Sequence, residues 1–458
     1  MEGQISRDAF TRCLYELVLN QEFSMRSYAY IARQLIRSVF ARQVGTTALT
    51  QGAILILSLV TASITARCLG PAGKGQLAMV FMVPALLQMF LSLGLGPANV
   101  YYVASGRLPI HQLTANAVAF SILATVVGFL VTLSILMSNL LPIVLPGVFS
   151  GYLMLGMIAL PLGLLASNFN TILHGRQRIY TLNMLNFIGS LLSASFMAIL
   201  VIAMKFGILG AIIASLAVNV AMLAATGWCV KKDGACFWPR WNLKVIRPTL
   251  NYGLKCYVAN LLQFFNYRLD VFIVNFFLGP VSVGIYGVSV AIAELLWQLP
   301  NAASFVIFPK SANSSQQAMN DFTPRVFWII LAITIVGAIG LALFGKFAIR
   351  IIFSSAFLDA YVPLLVLLPG VVLLGAGKVL ANDIAGRGYP HYNSITAGIS
   401  LVVTVALDLL LIPKMGVVGA ALASTASYAL TLVMSVGFYI SVAQRSSTVV
   451  GARDVECS

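Results

Sequence analysis

The chain repeats itself at a constant distance of 209 residues. Leu69-Gly70-Pro71 returns as Leu278-Gly279-Pro280, each followed shortly by another glycine. Phe206-Gly207-Ile208-Leu209-Gly210-Ala211 returns as Met415-Gly416-Val417-Val418-Gly419-Ala420, and Ala214-Ser215 as Ala423-Ser424. Two echoes at one offset, in distant parts of the chain, mean a duplicated half of about 200 residues. Any fold for this chain must contain two bodies of one design.

Those bodies are built for lipid. Hydrophobic residues make up 60% of the 458 and charged residues 9%, against about 25% charged in an average soluble domain. Twelve stretches are apolar over the roughly 20 residues a spanning helix requires: 46–66, 76–96, 113–136, 150–172, 181–204, 208–230, 251–277, 282–308, 326–347, 360–382, 393–413 and 416–441. Six fall in each half. An even number leaves both halves in one orientation, so the repeat is expected to be parallel, about an axis along the membrane normal. The expected fold is an all-α polytopic membrane protein of about twelve transmembrane helices. A basic, amphipathic, cytoplasmic segment (1–44) precedes a six-helix bundle (45–230), a cytoplasmic linker (231–250), a second bundle (251–442) and a cytoplasmic tail (443–458). Many transporters place a site between two such bodies, which then rock against each other.

The formal charge of +15 is a topology signal. With both termini inside, 19 of the 28 lysines and arginines fall on the inner side, six on the outer side and three within spans. Positive residues gather on the cytoplasmic side, so both termini are expected there. No basic cluster accompanies a soluble fold, which sets nucleic acid aside. The first apolar run is already span-length, so no cleavable signal peptide is expected; Met1 and Met25 both stand as candidate starts.

Outer connections are short: 278–281 is a bare turn and 137–149 carries no charge. That leaves no external domain for joining sugars. Gly70-Pro71-Ala72-Gly73-Lys74-Gly75 lacks the spacing of a phosphate loop. The three histidines (111, 174, 391) are scattered and the six cysteines contain no Cys-x-x-Cys, so neither a metal nor a cofactor is expected. Energy would come from a gradient, of H+ or Na+, or from the substrate.

An ionisable residue at membrane depth is a functional candidate, because its desolvation is costly. These residues gather in the second half: Lys255, Arg268 and Asp270 in span seven, Glu294 in span eight, Lys378 and Asp383 in span ten, Asp408 in span eleven. Their partners 209 residues earlier carry no charge; Arg268 matches Leu59 and Asp270 matches Thr61. On a helical wheel Lys255, Asn260, Gln263, Asn266, Tyr267 and Asp270 share an arc of about 140°. Lys255 and Asp270 stand about 22 Å apart along the axis. This face reads as one wall of a hydrated cavity, with a buried structural network as the other reading. Arg268 lies on a different side from Asp270, so the two reach separate neighbours. Glu294, Gln298 and Asn301 share a face that Pro300 kinks, and Lys378 and Asn382 stand one turn apart. Asp383 and Asp408 read as helix-end or interfacial residues as readily as cavity residues.

These residues suggest a family. Ala66-Arg67-Cys68-Leu69-Gly70-Pro71, then Tyr267-Arg268-Leu269-Asp270 with Leu278-Gly279-Pro280 and Val283-Gly284-Ile285-Tyr286, then Gly386-Arg387 and Leu411-Ile412-Pro413-Lys414-Met415-Gly416 come in order along the chain. Over about residues 40–445 the chain resembles the polysaccharide-transporter and O-antigen-flippase branch of the multidrug/oligosaccharidyl-lipid/polysaccharide exporter superfamily. The resemblance implies a two-bundle transporter, not an enzyme. Its substrate would be an undecaprenyl-diphosphate-linked oligosaccharide, crossing the bacterial inner membrane for O-antigen or capsule assembly. Polymerase and chain-length proteins of the same pathway would be its partners. Arg67, Lys255, Arg268 and Lys378, with Asn266 and Gln263, would hold the sugar-diphosphate head. Asp270 and Glu294 would position those cations or take up a coupling ion.

Three rivals remain at this point. A multidrug antiporter of the same superfamily favours cations and so an acidic cavity, whereas the span charges here are mixed. The lipid II flippase branch adds two spans not found here. A membrane polymerase or ligase is the rival of another class.

Overall fold

The computed structural model describes residues 39–138, 141–313 and 316–456, among which there are fourteen α-helices and no strand. They are α1 (Val39–Leu91), α2 (Leu95–Ala104), α3 (Ile110–Met137), α4 (Leu141–Val144), α5 (Ser150–Gly156), α6 (Ala159–Gly175), α7 (Ile179–Met197), α8 (Gly207–Lys232), α9 (Leu243–Ala293), α10 (Gln298–Asn313), α11 (Gln316–Ile352), α12 (Tyr361–Gly386), α13 (His391–Met415) and α14 (Val417–Glu456). The chain divides into two units, residues 1–55 and 56–458. In the first, the described part is the opening of α1; most of the expected amphipathic segment (1–38) lies outside the described residues.

Ten helices among the described residues are long and apolar enough to cross a membrane, and two of them, 50–91 and 261–304, are of double length. Each double helix breaks at one glycine. Gly70 has φ 66° and ψ −176°; Gly279 has φ 76° and ψ −178°. These are the two glycines paired at the 209-residue offset. A side chain would strain at that φ, and the proline that follows supplies the φ that starts a new helix. The chain folds back at both places. Lys74 donates to the carbonyl of Ala62 at 3.2 Å, and Arg268 meets Glu294 at 3.4 Å, although 26 residues of straight helix would separate the latter pair by about 39 Å. Each double helix is thus a hairpin of two spans, which brings the count to the twelve expected. The second echo behaves alike: Gly207 (φ 57°) and Gly416 (φ 61°) both have positive φ at the start of the last helix of each half.

The two hairpins cross where the repeats meet. A Cβ on Gly75 would lie 1.6 Å from the carbonyl oxygen of Pro280, and one on Gly284 would lie 2.1 Å from that of Pro71. The contacts exchange when the halves exchange, as a two-fold axis requires. Both hairpin turns therefore lie at one end, and the repeat is parallel. Helices α2, α3, α7 and α8 gather around α6 and one another, while α10, α11, α13 and α14 gather around α12 and α9. One apolar cluster runs through both bundles, joining Ala66, Met79 and Ile212 to Tyr286, Phe353 and Leu364.

The outward faces carry large apolar side chains. Ile122, Val126 and Leu130 of α3, and Val336, Leu343 and Phe347 of α11, are all exposed. Such faces have lipid as their solvent, and the chain is a multi-pass membrane protein. Lys231 and Lys232 close α8, Lys232 sits over Trp228 at 3.5 Å, and Trp238 and Trp241 are exposed beyond them, an aromatic and basic girdle of the kind that anchors a helix end at the interface.

Candidate functional site

The site begins with Pro300. It has no N–H for the carbonyl one turn earlier, and the turn before it, Glu294–Trp297, tightens to 3-10 geometry between α9 and α10. Pro300 packs on α12 where Gly375 leaves room; a Cβ there would lie 3.0 Å from the proline ring. Trp297 donates its indole N–H to the carbonyl of Val371 at 3.2 Å, which fixes the ring. Lys378, one helical turn along from Gly375, then lies with its Nζ 4.1 Å from the Trp297 ring centre and 5.8 Å from that of Tyr267. It donates to Asn301 Oδ1 at 3.1 Å. Tyr428 closes the aromatic group, its ring 5.9 Å from Trp297 and 6.5 Å from Tyr267.

Lys378 faces a cavity of about 730 Å³ walled by α9, α12, α13 and α14. Gln263, Asn266, Tyr267 and Asn382 line it together with Lys378, and α13 and α14 add further amides and hydroxyls. No carboxylate is among its described lining residues, and Lys378 is the one lysine or arginine. Every lining residue belongs to the second half. Of the polar face expected along span seven, Gln263, Asn266 and Tyr267 front this space, which lies within the C-terminal bundle, whereas sequence reasoning puts it between the bundles. The charge asymmetry between the halves has its counterpart in this geometry.

The predicted site residues fall in separate places. Gln263, Asn266 and Lys378 share the cavity. Arg268 turns away from it and pairs with Glu294; both side chains are partly exposed, 39% and 26%. Asp270, two residues on, is buried; it accepts from Tyr286 at 2.6 Å, from its neighbour's backbone N–H (Val271) at 2.7 Å, and from Ser424 at 3.4 Å. Arg67 lies at the end marked by Gly70, where it and Ser63 donate to the backbone carbonyls of Ile351 and Ile352 at the last turn of α11. The side chain of Lys255 lies outside the described residues.

Four groups take places that the sequence reading did not give them. Asp408 is fully buried, and neither of its carboxylate oxygens has a hydrogen-bond partner. Its neighbour one turn back, Thr404, donates to Asn266 at 3.1 Å, so one further turn on each helix sets Asp408 level with Asp270. Asp408 therefore belongs to the interior and not to a helix end or the interface. Arg387, counted with the inner-side cations, is buried in an ion pair with Asp383 at 2.7 Å. Asn320 accepts from it at 2.6 Å, and Ser311 donates to Asp383. The i, i+4 spacing of Asp383 and Arg387 was the available signal. Lys74, counted outside, folds back over the Phe353 ring at 4.6 Å. In the first half, Asn99, Asn168 and Ser121 form a buried chain of hydrogen bonds at 3.0 and 3.2 Å; polar residues without charge gave it no prominence.

A family described as polysaccharide biosynthesis protein matches residues 64–362. A probable low-salt glycan biosynthesis flippase, Agl15, of Haloferax volcanii is 26% identical over 202 residues, which is 42% of this chain and 42% of that relative. Among solved structures, the lipid II flippase MurJ in an inward closed conformation superposes with a TM-score of 0.71 at 14% identity, over 88% of this chain and 91% of its own. An inward-facing multidrug resistance MATE transporter of the MOP superfamily gives 0.66 at 15% identity, over 88% and 98%. The two structures share the fold; the identities carry nothing further.

Proposed function

The chain belongs to the polysaccharide biosynthesis protein family, and we propose that it is a flippase carrying a lipid-linked oligosaccharide from the cytoplasmic to the outer leaflet of the plasma (inner) membrane. The observation that carries this reading is the cavity of the second half, which brings side-chain amides and hydroxyls together with a lysine as its one strong charge. A prenyl tail can stay in lipid while the sugar-diphosphate head cannot. A polar cleft with a fixed cation lowers the barrier for that head by replacing water with preorganised donors. The similarity to a glycan biosynthesis flippase, over less than half of either chain, supports the same substrate class.

Alternating access is the proposed mechanism. The crossing of Pro71 and Gly75 with Pro280 and Gly284 serves as the pivot, and Arg67 and Ser63 hold its end closed through the carbonyls of α11. By the distribution of basic residues that end is the outer one, and both termini are cytoplasmic. Arg268 assists the head from the Glu294 side. Coupling falls to Asp270 and Asp408. A buried carboxylate without hydrogen bonds needs a counter-charge, and a proton or Na+ shared between the two would supply it and tie ion entry to the packing of α9 on α13. The substrate's polymerase and chain-length machinery would act downstream.

Deleting the gene should stop surface polysaccharide and accumulate lipid-linked repeat units on the inner leaflet, measured by protection from a membrane-impermeant glycan-labelling reagent. Units accumulating on the outer leaflet would indicate a polymerase. Arg268→Glu and Lys378→Glu, at normal expression, should each abolish export, and normal export in both would refute this site. Drug efflux lost from a sensitised strain, with polysaccharide intact, would favour the multidrug reading.

A further inference from the structure

We infer that the cavity inside the C-terminal bundle is a subsite for a hydroxyl-rich anion: a sugar residue carrying an acidic group, with Lys378 as its counter-ion. The ligand class rests on the flippase reading; the geometry is the cavity's own. Its volume, about 730 Å³, is far beyond an ion's needs and falls in the range of small-molecule sites.

The polar wall is held in fixed orientation. The side-chain amide of Asn382 donates to the carbonyl of Lys378 at 2.8 Å, that of Asn393 to Ala381 at 2.8 Å, and that of Gln263 to the Tyr267 hydroxyl at 3.4 Å. Each bond uses one of the amide's two N–H groups and fixes its plane, which leaves the second N–H and the carbonyl oxygen as oriented partners for a ligand. Three oriented amides, each able to donate and to accept, beside the hydroxyls of Thr396 and Ser435 complement a ring of sugar hydroxyls. Tyr267, braced by Trp297 and Tyr428, adds an aromatic surface for the C–H face of such a ring.

The charge completes the argument. Lys378 has a neutral hydrogen-bond partner, Asn301, and aromatic faces around it. The carboxylate whose field reaches it, Glu294, is engaged by Arg268. Among the described residues no carboxylate forms an ion pair with Lys378, so the anion that would pair with it must come from the ligand. Two sources present that chemistry in a lipid-linked glycan: a carboxylate on a sugar, and the phosphate at the reducing end.

The test is saturation-transfer NMR on the full chain in detergent micelles, which detects weak ligands, using glucuronate, glucose 1-phosphate and glucose as probes. At least one anionic probe should saturate about tenfold more strongly than glucose, as a charge-assisted hydrogen bond predicts. Glucuronate alone would assign the site to an acidic sugar, glucose 1-phosphate alone to the reducing-end phosphate, and both to either group. Lys378→Met should reduce the anions to the level of glucose, while Lys378→Arg keeps the preference. Asn382→Ala, which leaves the lysine in place, should weaken all three probes alike. Saturation of none, equal saturation by glucose, or an unchanged preference in Lys378→Met would overturn the inference. Binding on purified protein is read separately from inner-leaflet accumulation in the deletion strain, so an empty cavity with the accumulation intact refutes the subsite alone.

Discussion

A charge at membrane depth must be answered, and this chain answers its charges in different ways. Asp383 and Arg387 answer each other and are sealed, at 0% and 1% exposure. Removing one leaves the other buried alone, which typically costs about 3–5 kcal/mol. Asp383→Ala should therefore lower the melting temperature in detergent steeply, and the double replacement Asp383→Leu with Arg387→Met should recover much of the loss. If the single variant melts like the parent, the pair is not a structural anchor. Asp270 is answered by a tyrosine, a serine and a backbone N–H. Asp408, level with it, has no hydrogen bond. Asp408→Asn keeps the volume and removes the charge. It should leave the fold intact and abolish the dependence of transport on the ion gradient, measured in proteoliposomes with and without the gradient. Unchanged gradient dependence would take Asp408 out of coupling.

Between elements, glycine does two separable jobs. At Gly70 and Gly279 it supplies a positive φ, with nothing within 4 Å of an added Cβ. At Gly75 and Gly284 it lets backbones touch. Gly70→Ala should cost about 1–3 kcal/mol through its backbone conformation alone. Gly75→Ala drives a carbon into the Pro280 carbonyl and must push the hairpins apart, so it should damage transport well beyond its effect on melting. Gly287→Ala, in the same returning arm as Gly284 but facing open space, is the control; gaining helix propensity, it should be neutral or stabilising by up to about 1 kcal/mol. Equal behaviour of Gly75→Ala and Gly287→Ala in transport would dismiss the crossing as a pivot.

For the molecule as a whole, the closure beside the crossing is asymmetric although the crossing itself is symmetric. Ser63 and Arg67 from the first half take hold of the last carbonyls of α11 in the second, and their counterparts at the 209 offset, Phe272 and Phe276, cannot return the contact. Ser63→Cys with Ile352→Cys, joined by a short bifunctional thiol reagent, should stop translocation, and a cleavable reagent should allow recovery on reduction. Transport through the crosslinked protein would mean that this end does not open in the cycle.

Chain-wide periodicities were legible from the sequence: twelve apolar stretches, the offset of 209, the parallel arrangement that six-plus-six demands, and the opposed directions of Arg268 and Asp270. Each follows from helix geometry and the cost of polar groups in lipid, which act locally and leave a trace in spacing. The tertiary structure alone decided which polar groups meet. Lys378 joins Trp297 and Asn301, Asp408 comes level with Asp270, Arg387 sinks into the interior, and Arg67 grips α11 far from the cavity. Those pairings depend on how a helix is rotated against neighbours drawn from distant parts of the chain. That rotation is set by packing against several partners at once, a condition that no single stretch of residues records.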